Sequence, residues 1–192
     1  MVSSNANALG VIFANSYDNL VPELVAERTM ASIPFAGRYR MIDFVLSNMA
    51  NAGVDNVSVI VRKNYHSLMD TWRSREWDLT RKRGGLNIVP PFAERSIKLY
   101  SGRVDALASV LNWLKDQKER YVILSDSNIA MNFDFNKLIE LMSSPAQTLP
   151  WYTTAAKSPM APAPITTPSA LIMAVWLSCF PTIIVPASRI CP

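Results

Sequence analysis

The 192-residue chain is 49% apolar and 18% charged, with a formal net charge of +4 and two cysteines. That apolar share fills one sizeable core and excludes a chain disordered throughout. The positive balance does not mark a nucleic-acid binder, because from Leu141 to Pro192 there is no Asp or Glu, and Lys157 and Arg189 there supply half of the excess.

Cys179 and Cys191 both fall in that final stretch. A body without cysteine predicts a cytoplasmic protein with no disulfide framework. Met1 to Asn7 is polar and Arg28 is the first basic residue, so no secretory leader is expected. The apolar run Ala170 to Val185 is short for a membrane span and is broken by Pro181. No membrane helix is expected.

Ala8 to Ala14 (A-L-G-V-I-F-A) is a continuous apolar run, the mark of a strand buried on both faces. An apolar loop ending at Gly37 feeds a predicted helix over Tyr39 to Ala52, where the spacing of Tyr39, Met41, Ile42, Phe44, Val45, Leu46 and Met49 puts one apolar stripe. Val57 to Val61 is β-branched and reads as a second buried strand. His66 to Trp72 reads as a short helix, and Val104 to Leu114 as an amphipathic one. Tyr121 to Leu124 reads as a further buried strand. Asp134 is placed to cap a helix that runs to Met142. Strands alternating with helices predict an α/β fold with a mostly parallel sheet and helices on both faces.

From Ser143 the character changes: nine of the thirteen prolines follow, mixed with Ser, Thr and Ala, and no glycine occurs after Gly102. Residues 1–142 therefore read as one domain and residues 143–192 as a tail. Two readings of the tail stand. It is a Pro-rich extension without a packed core, or it is translated out of frame, since codons for residues 158–169 can be chosen so that a neighbouring frame reads P-D-G-A-R-P-D-Y-Y-T-V. On the second reading the sheet lacks strands and leaves an edge exposed.

Few residues carry chemistry by themselves. His66, the sole histidine, has no visible partner and reads as a surface residue. Arg73, Arg75, Arg81, Lys82 and Arg83 are interrupted by Glu76 and Asp78, which favours a solvated loop over a nucleic-acid footprint. No Cys/His cluster is present.

Four motifs in order carry a family resemblance: R-T-M-A-S-I-P-F-A-G-R-Y-R-M-I-D-F-V-L-S-N (Arg28 to Asn48), G-G-L-N-I-V-P-P-F (Gly84 to Phe92), S-G-R-V-D-A-L (Ser101 to Leu107) and L-S-D-S-N-I-A-M-N-F-D-F (Leu124 to Phe135). With them the chain from about Ala8 to Met142 resembles the N-terminal domain of the glucose-1-phosphate adenylyltransferase family, its bacterial D-type regulatory subunits above all. The resemblance implies a Rossmann-like, nucleotide-diphospho-sugar transferase sheet. In the family a further part of this domain and a left-handed β-helix follow; neither is recognisable after Met142, so the domain is expected to be incomplete.

Catalytic members join ATP and glucose 1-phosphate to give ADP-glucose and pyrophosphate, using Mg²⁺. Such chemistry needs backbone donors and cations around the phosphates and carboxylates for the metal. Their loop A-G-G-x-G-x-R-L aligns with Ala14, Asn15, Ser16, Tyr17, Asp18, Asn19, Leu20 and Val21 here. Asn15, Ser16 and Asp18 replace the glycines and Leu20 the arginine, while Met30 stands in place of a lysine. Bulk blocks backbone approach and an acid repels phosphate.

Counting back from Asp134 puts Asn128 where the family has its metal aspartate; a shifted alignment offers Asp126. Asn is a weak, neutral ligand for a hard cation. Phe92 and Ala93 follow Pro90 and Pro91, where the family has a Gln that reads adenine. Gly102 and Asp105 match the family's G-T-A-D-A, with Arg103 and Val104 replacing its middle. The resemblance implies a non-catalytic, regulatory-type subunit with a vestigial nucleotide loop and no bound metal or cofactor. Gly102, Asp105, Asp126 and Asn128 are its residual pocket candidates. The expected partner is a catalytic sister subunit in a hetero-oligomer for glycogen synthesis, with a sugar phosphate or nucleotide as the residual ligand and neither nucleic acid nor membrane. The alternative is an active nucleotidyltransferase relying on Mg²⁺, Asp126 and either Arg38 or Arg40.

Overall fold

The computed structural model describes residues 7–73, 85–90, 103–143 and 182–186. Strand β1 (Ala8–Phe13) is buried along its whole length. It lies between two parallel neighbours, β4 (Asn56–Ile60) and β6 (Tyr121–Asp126). β5 (Gly85–Val89) pairs parallel outside β4. The apolar runs are therefore continuous because helices cover both faces.

The two faces divide by alternation along each strand. Ala8 and Ile12 of β1, Val57 and Val59 of β4 and Ile123 of β6 point to one side. Ile42, Val45, Leu46 and Met49 of α1 (Met41–Asn51) meet them there, with Leu68 of α2 (His66–Arg73) and Phe135 and Leu138 of α5 (Phe135–Ser143). Leu9, Val11 and Phe13 point to the other side, against Ala106 and Leu107 of α3 (Arg103–Ser109), Val110, and Leu114 of α4 (Leu111–Lys115). Gly10 lets α1 approach closely: a Cβ there would stand 2.7 Å from Met49 Sδ and 3.2 Å from a Val57 methyl.

The expected fold class holds, with adjustments at element boundaries. The helix expected from Tyr39 begins at Met41, because Tyr39–Arg40 (β3) pairs antiparallel with Pro34–Phe35 (β2) in a small hairpin. Ala36 and Gly37 turn that hairpin at φ 49° and 74°. Asp43 then fixes the helix start by accepting the Arg40 N–H at 2.7 Å. The single helix expected over Val104 to Leu114 is two, broken at Val110 (φ −105°, ψ 6°). Ser109 donates its hydroxyl to the Ala106 carbonyl at 2.7 Å, competing with helical pairing there. Asp134 caps α5 as expected, accepting the Asn136 N–H at 3.0 Å.

β7 (Thr182–Pro186), from the Pro-rich tail, pairs antiparallel along Tyr121–Ser125 and gives the order β5-β4-β1-β6-β7 among the described strands. The run of β-branched residues in T-I-I-V suits a strand, and Pro186 at its end costs no interior ladder bond. Among the described residues, no helix is long and apolar enough to cross a membrane.

Candidate functional site

From β1 the chain moves to β4 and β5 on one side of the sheet, then to β6 on the other. The strand order thus reverses between β1 and β6, the position where open α/β sheets form a ligand crevice at their carboxyl ends. Phe13 and Asp126 are register partners at that end. The loop leaving β1 and the turn leaving β6 are stitched together there: Ser127 donates its N–H to the Phe13 carbonyl at 3.3 Å and its hydroxyl to the Ala14 carbonyl at 3.3 Å.

Asp126 is 1% exposed at the floor of this crevice. Arg103, first residue of α3, brings Nη2 to 2.9 Å from its Oδ2. The same Nη2 donates to the Tyr17 hydroxyl at 2.7 Å, and the guanidinium lies 5.3 Å from the centre of the Tyr17 ring. Neither Asp126 oxygen has a partner in hydrogen-bond alignment, so its contact with Arg103 is one of charge with charge. Burial raises the carboxyl; the charge of Arg103 pulls it back, and the balance leaves it pushed up to about 6. A cation, an aromatic ring and a carboxylate of the chain itself occupy the crevice.

The loop after β1 is also bonded to itself. Asp18 is 3% exposed. Its Oδ1 accepts the Met30 N–H at 3.1 Å, and its Oδ2 accepts Asn15 Nδ2 at 2.5 Å. Asn15 is held in that orientation because its Oδ1 accepts the Arg62 N–H at 2.7 Å. A second tie comes from Asn64, whose Nδ2 donates to the carbonyls of Val25 and Ala26 at 3.1 and 2.8 Å. Side chains thus take up the donors around the loop.

The fold brings together Ser16, Tyr17 and Asp126 in one cluster and Asn15, Asp18 and Met30 in another. Leu20 points outward and is 74% exposed. Asn128 is half-buried in the turn after β6. Asp105 is exposed in the first turn of α3, and Gly102, Phe92 and Ala93 lie outside the described residues. Arg40 does not face the crevice: its Nη1 donates to the carbonyl and hydroxyl of Ser67 at 3.1 and 3.0 Å. His66 is exposed, stacked on Tyr65 at 5.5 Å.

Arg103 is the residue that sequence reasoning passed over. Its signal was a long cation standing in the middle of a small-residue motif, directly after Gly102 and before a helix.

A family model for the nucleotidyl transferase domain matches residues 20–162. The chain belongs to the nucleotidyl transferase family. Among curated relatives it is 38% identical over 141 residues to the glycogen biosynthesis protein GlgD of Geobacillus stearothermophilus, covering 70% of this chain and 40% of the relative. It is 36% identical over 138 residues to GlgD of Bacillus subtilis, covering 71% of this chain and 40% of that protein. It is 28% identical over 141 residues to a glucose-1-phosphate adenylyltransferase of Bacillus cytotoxicus, covering 70% and 36%. The chain thus spans about 40% of the length of the GlgD proteins it matches.

A crystal structure assigned as a glucose-1-phosphate thymidylyltransferase from Bacillus anthracis, in complex with sucrose, superposes with a TM-score of 0.54 at 12% identity. It covers 71% of this chain and 50% of that one. At that identity the likeness concerns the fold alone.

Proposed function

We propose that this nucleotidyl transferase chain is a non-catalytic, regulatory-type component of bacterial glycogen synthesis, acting on a catalytic glucose-1-phosphate adenylyltransferase subunit. The observation that carries the reading is Arg103, whose guanidinium stands at the β1–β6 strand ends against Asp126 and Tyr17. A nucleotide entering there would have to displace a buried ion pair, and uncovering Asp126 alone is costly. The likeness to two GlgD proteins supports the same direction.

The residues present do not suit Mg²⁺. A hard cation needs several oxygen donors, whereas Asp126 already faces Arg103 and Asn128 is neutral. Among the described residues no group of three or more His, Cys, Asp or Glu could hold a metal ion. A sugar phosphate or nucleotide could act on this pocket only by drawing Arg103 away from Asp126, exchanging one anion for another.

The test is to assay pyrophosphate release from ATP and glucose 1-phosphate by a catalytic glucose-1-phosphate adenylyltransferase, with this chain added in increasing amounts. A saturable change in that subunit's kcat or KM is expected, with no turnover by this chain alone. An unchanged catalytic subunit would remove the regulatory reading, and turnover by the chain alone would replace it with the enzyme reading.

A further inference from the structure

The β2–β3 hairpin that leads into α1 carries aromatic surface that no core takes up. Every residue from Pro34 to Tyr39 is exposed. Phe35 is 45% and Tyr39 50% exposed; among the described residues Leu20 and Leu24 are the other large apolar side chains so placed. Phe35 and Tyr39 are register partners across the hairpin, so both rings project from one face of it. Phe44 of α1 braces them from behind, its centroid 5.2 Å from Phe35 at an interplanar angle of 86° and 6.3 Å from Tyr39. The tip stands clear, since a Cβ on Gly37 would meet nothing within 4 Å.

Single exposed apolar residues need no explanation, whereas neighbouring rings fixed by a third ring do. Aromatic residues and Arg are the types that concentrate at the centres of protein interfaces. The hairpin rests on a fixed base: the Met41 N–H bonds the Ile33 carbonyl at 3.0 Å, and the Arg40 N–H bonds Asp43. Its rings are therefore held in place before any partner arrives, which lowers the ordering cost of binding. Arg38, between the two rings in the chain, is exposed, and among the described residues no carboxylate pairs with it. Arg40 beside it turns its Nη1 to Ser67 instead. A second copy seated here would bring Arg38 near its own counterpart across a two-fold axis, on a chain of net charge +4. The charge thus favours an unlike, acidic partner.

We propose that the β2–β3 hairpin is the surface by which this chain docks on a catalytic glucose-1-phosphate adenylyltransferase subunit. Phe35 and Tyr39 enter a shallow apolar groove of that subunit, whose rim carries Asp or Glu opposite Arg38. This docking rests on the regulatory function proposed above and names the surface through which it acts. The two rings supply the area removed from water, and Arg38 sets orientation and the rate of encounter. Leu24 is exposed to a similar degree, at 59%, but lies outside the hairpin and serves as the comparison residue.

The experiment measures binding of the full chain to a catalytic glucose-1-phosphate adenylyltransferase subunit by isothermal titration, at low and at high NaCl. The double variant Phe35→Ser/Tyr39→Ser is expected to weaken Kd by about 30-fold while keeping a cooperative urea transition. Arg38→Glu, on the open surface where the fold does not depend on it, is expected to weaken Kd about tenfold at low salt and less at high salt. Arg38→Lys and Leu24→Ala should bind as the unmodified chain does. Undiminished binding by the double variant would overturn the proposal; if that variant also still altered the catalytic subunit's kcat or KM, the regulatory function would stand with its contact elsewhere. Self-association of the unmodified chain that the double variant abolishes would assign the rings to a second copy and overturn it equally. An unmodified chain that neither binds nor alters the catalytic subunit would remove the regulatory function itself, and this contact with it.

Discussion

Helix α1 and the loop after β1 are close in the chain and lie at the same central strand, yet they are built by different rules. In α1 the buried side chains are Ile42, Val45, Leu46, Asn48 and Met49, and all but one are aliphatic or thioether groups pressed on the sheet. In the loop the buried positions are filled by Asp18 and by the Ser16 hydroxyl, with Tyr17 packed beneath Arg103. Packing needs only shape and apolarity, so a helix can keep its sequence when a ligand is no longer used. A loop shaped around a ligand has no such independence. Its polar groups must find partners within the chain, as Asn15 and Asp18 do.

This contrast can be broken at several points. The largest effect is expected from truncation before Thr182, which strips β7 from β6 and uncovers a row of unpaired backbone groups. Size-exclusion chromatography should then show self-association that the full chain lacks. A truncated chain that stays monomeric and unfolds cooperatively would show that the tail strand is dispensable.

Next comes Arg103→Ala, which leaves Asp126 buried without its cation. Urea unfolding at pH 7.5 should show a loss of about 3 kcal/mol. The loss should shrink at pH 5, because the variant's carboxyl can escape the penalty by taking up a proton. In the unmodified chain the folded state holds the Asp126 proton up to about pH 6, well above the ordinary carboxylate range. Its contribution to stability is therefore fullest below about pH 4 and is lost as pH rises through 6. A pH-independent penalty for Arg103→Ala would separate the arginine from Asp126.

A smaller effect is expected on the packing side. Gly10→Ala forces Met49 and Val57 aside and should cost about 1–2 kcal/mol in urea. It should do so equally at pH 5 and 7.5, since no titrating group faces Gly10. A pH-dependent cost would mean that packing and crevice are not the separate regions described.

Much of the fold was legible because buried parallel strands write themselves as uninterrupted apolar runs. Ala8 to Ala14 and Tyr121 to Leu124 are such runs, and the α1 stripe has one period. β5 was harder: G-L-N-I-V is buried only at its two ends, with Asn87 exposed at its centre, and is too short for a clear pattern. β7 was hidden inside a proline-rich composition that argued against any packed element. At the site, Asp126 could be named as a candidate. Its burial against Arg103 could not, because the two are 23 positions apart and meet only when α3 is laid beside the β6 end. The Asp18 contacts were likewise invisible, since one donor is a backbone N–H twelve residues away.

Side chains of the chain itself, Arg103, Tyr17 and Asp126, stand together at the strand ends. Isothermal titration of the unmodified chain with ATP, with and without Mg²⁺, tests it most directly. No saturable heat is expected at millimolar ATP in either condition. Saturable, Mg²⁺-dependent ATP binding that disappears in Asp126→Asn would contradict it, because that carboxylate would then be serving a nucleotide and its metal rather than Arg103.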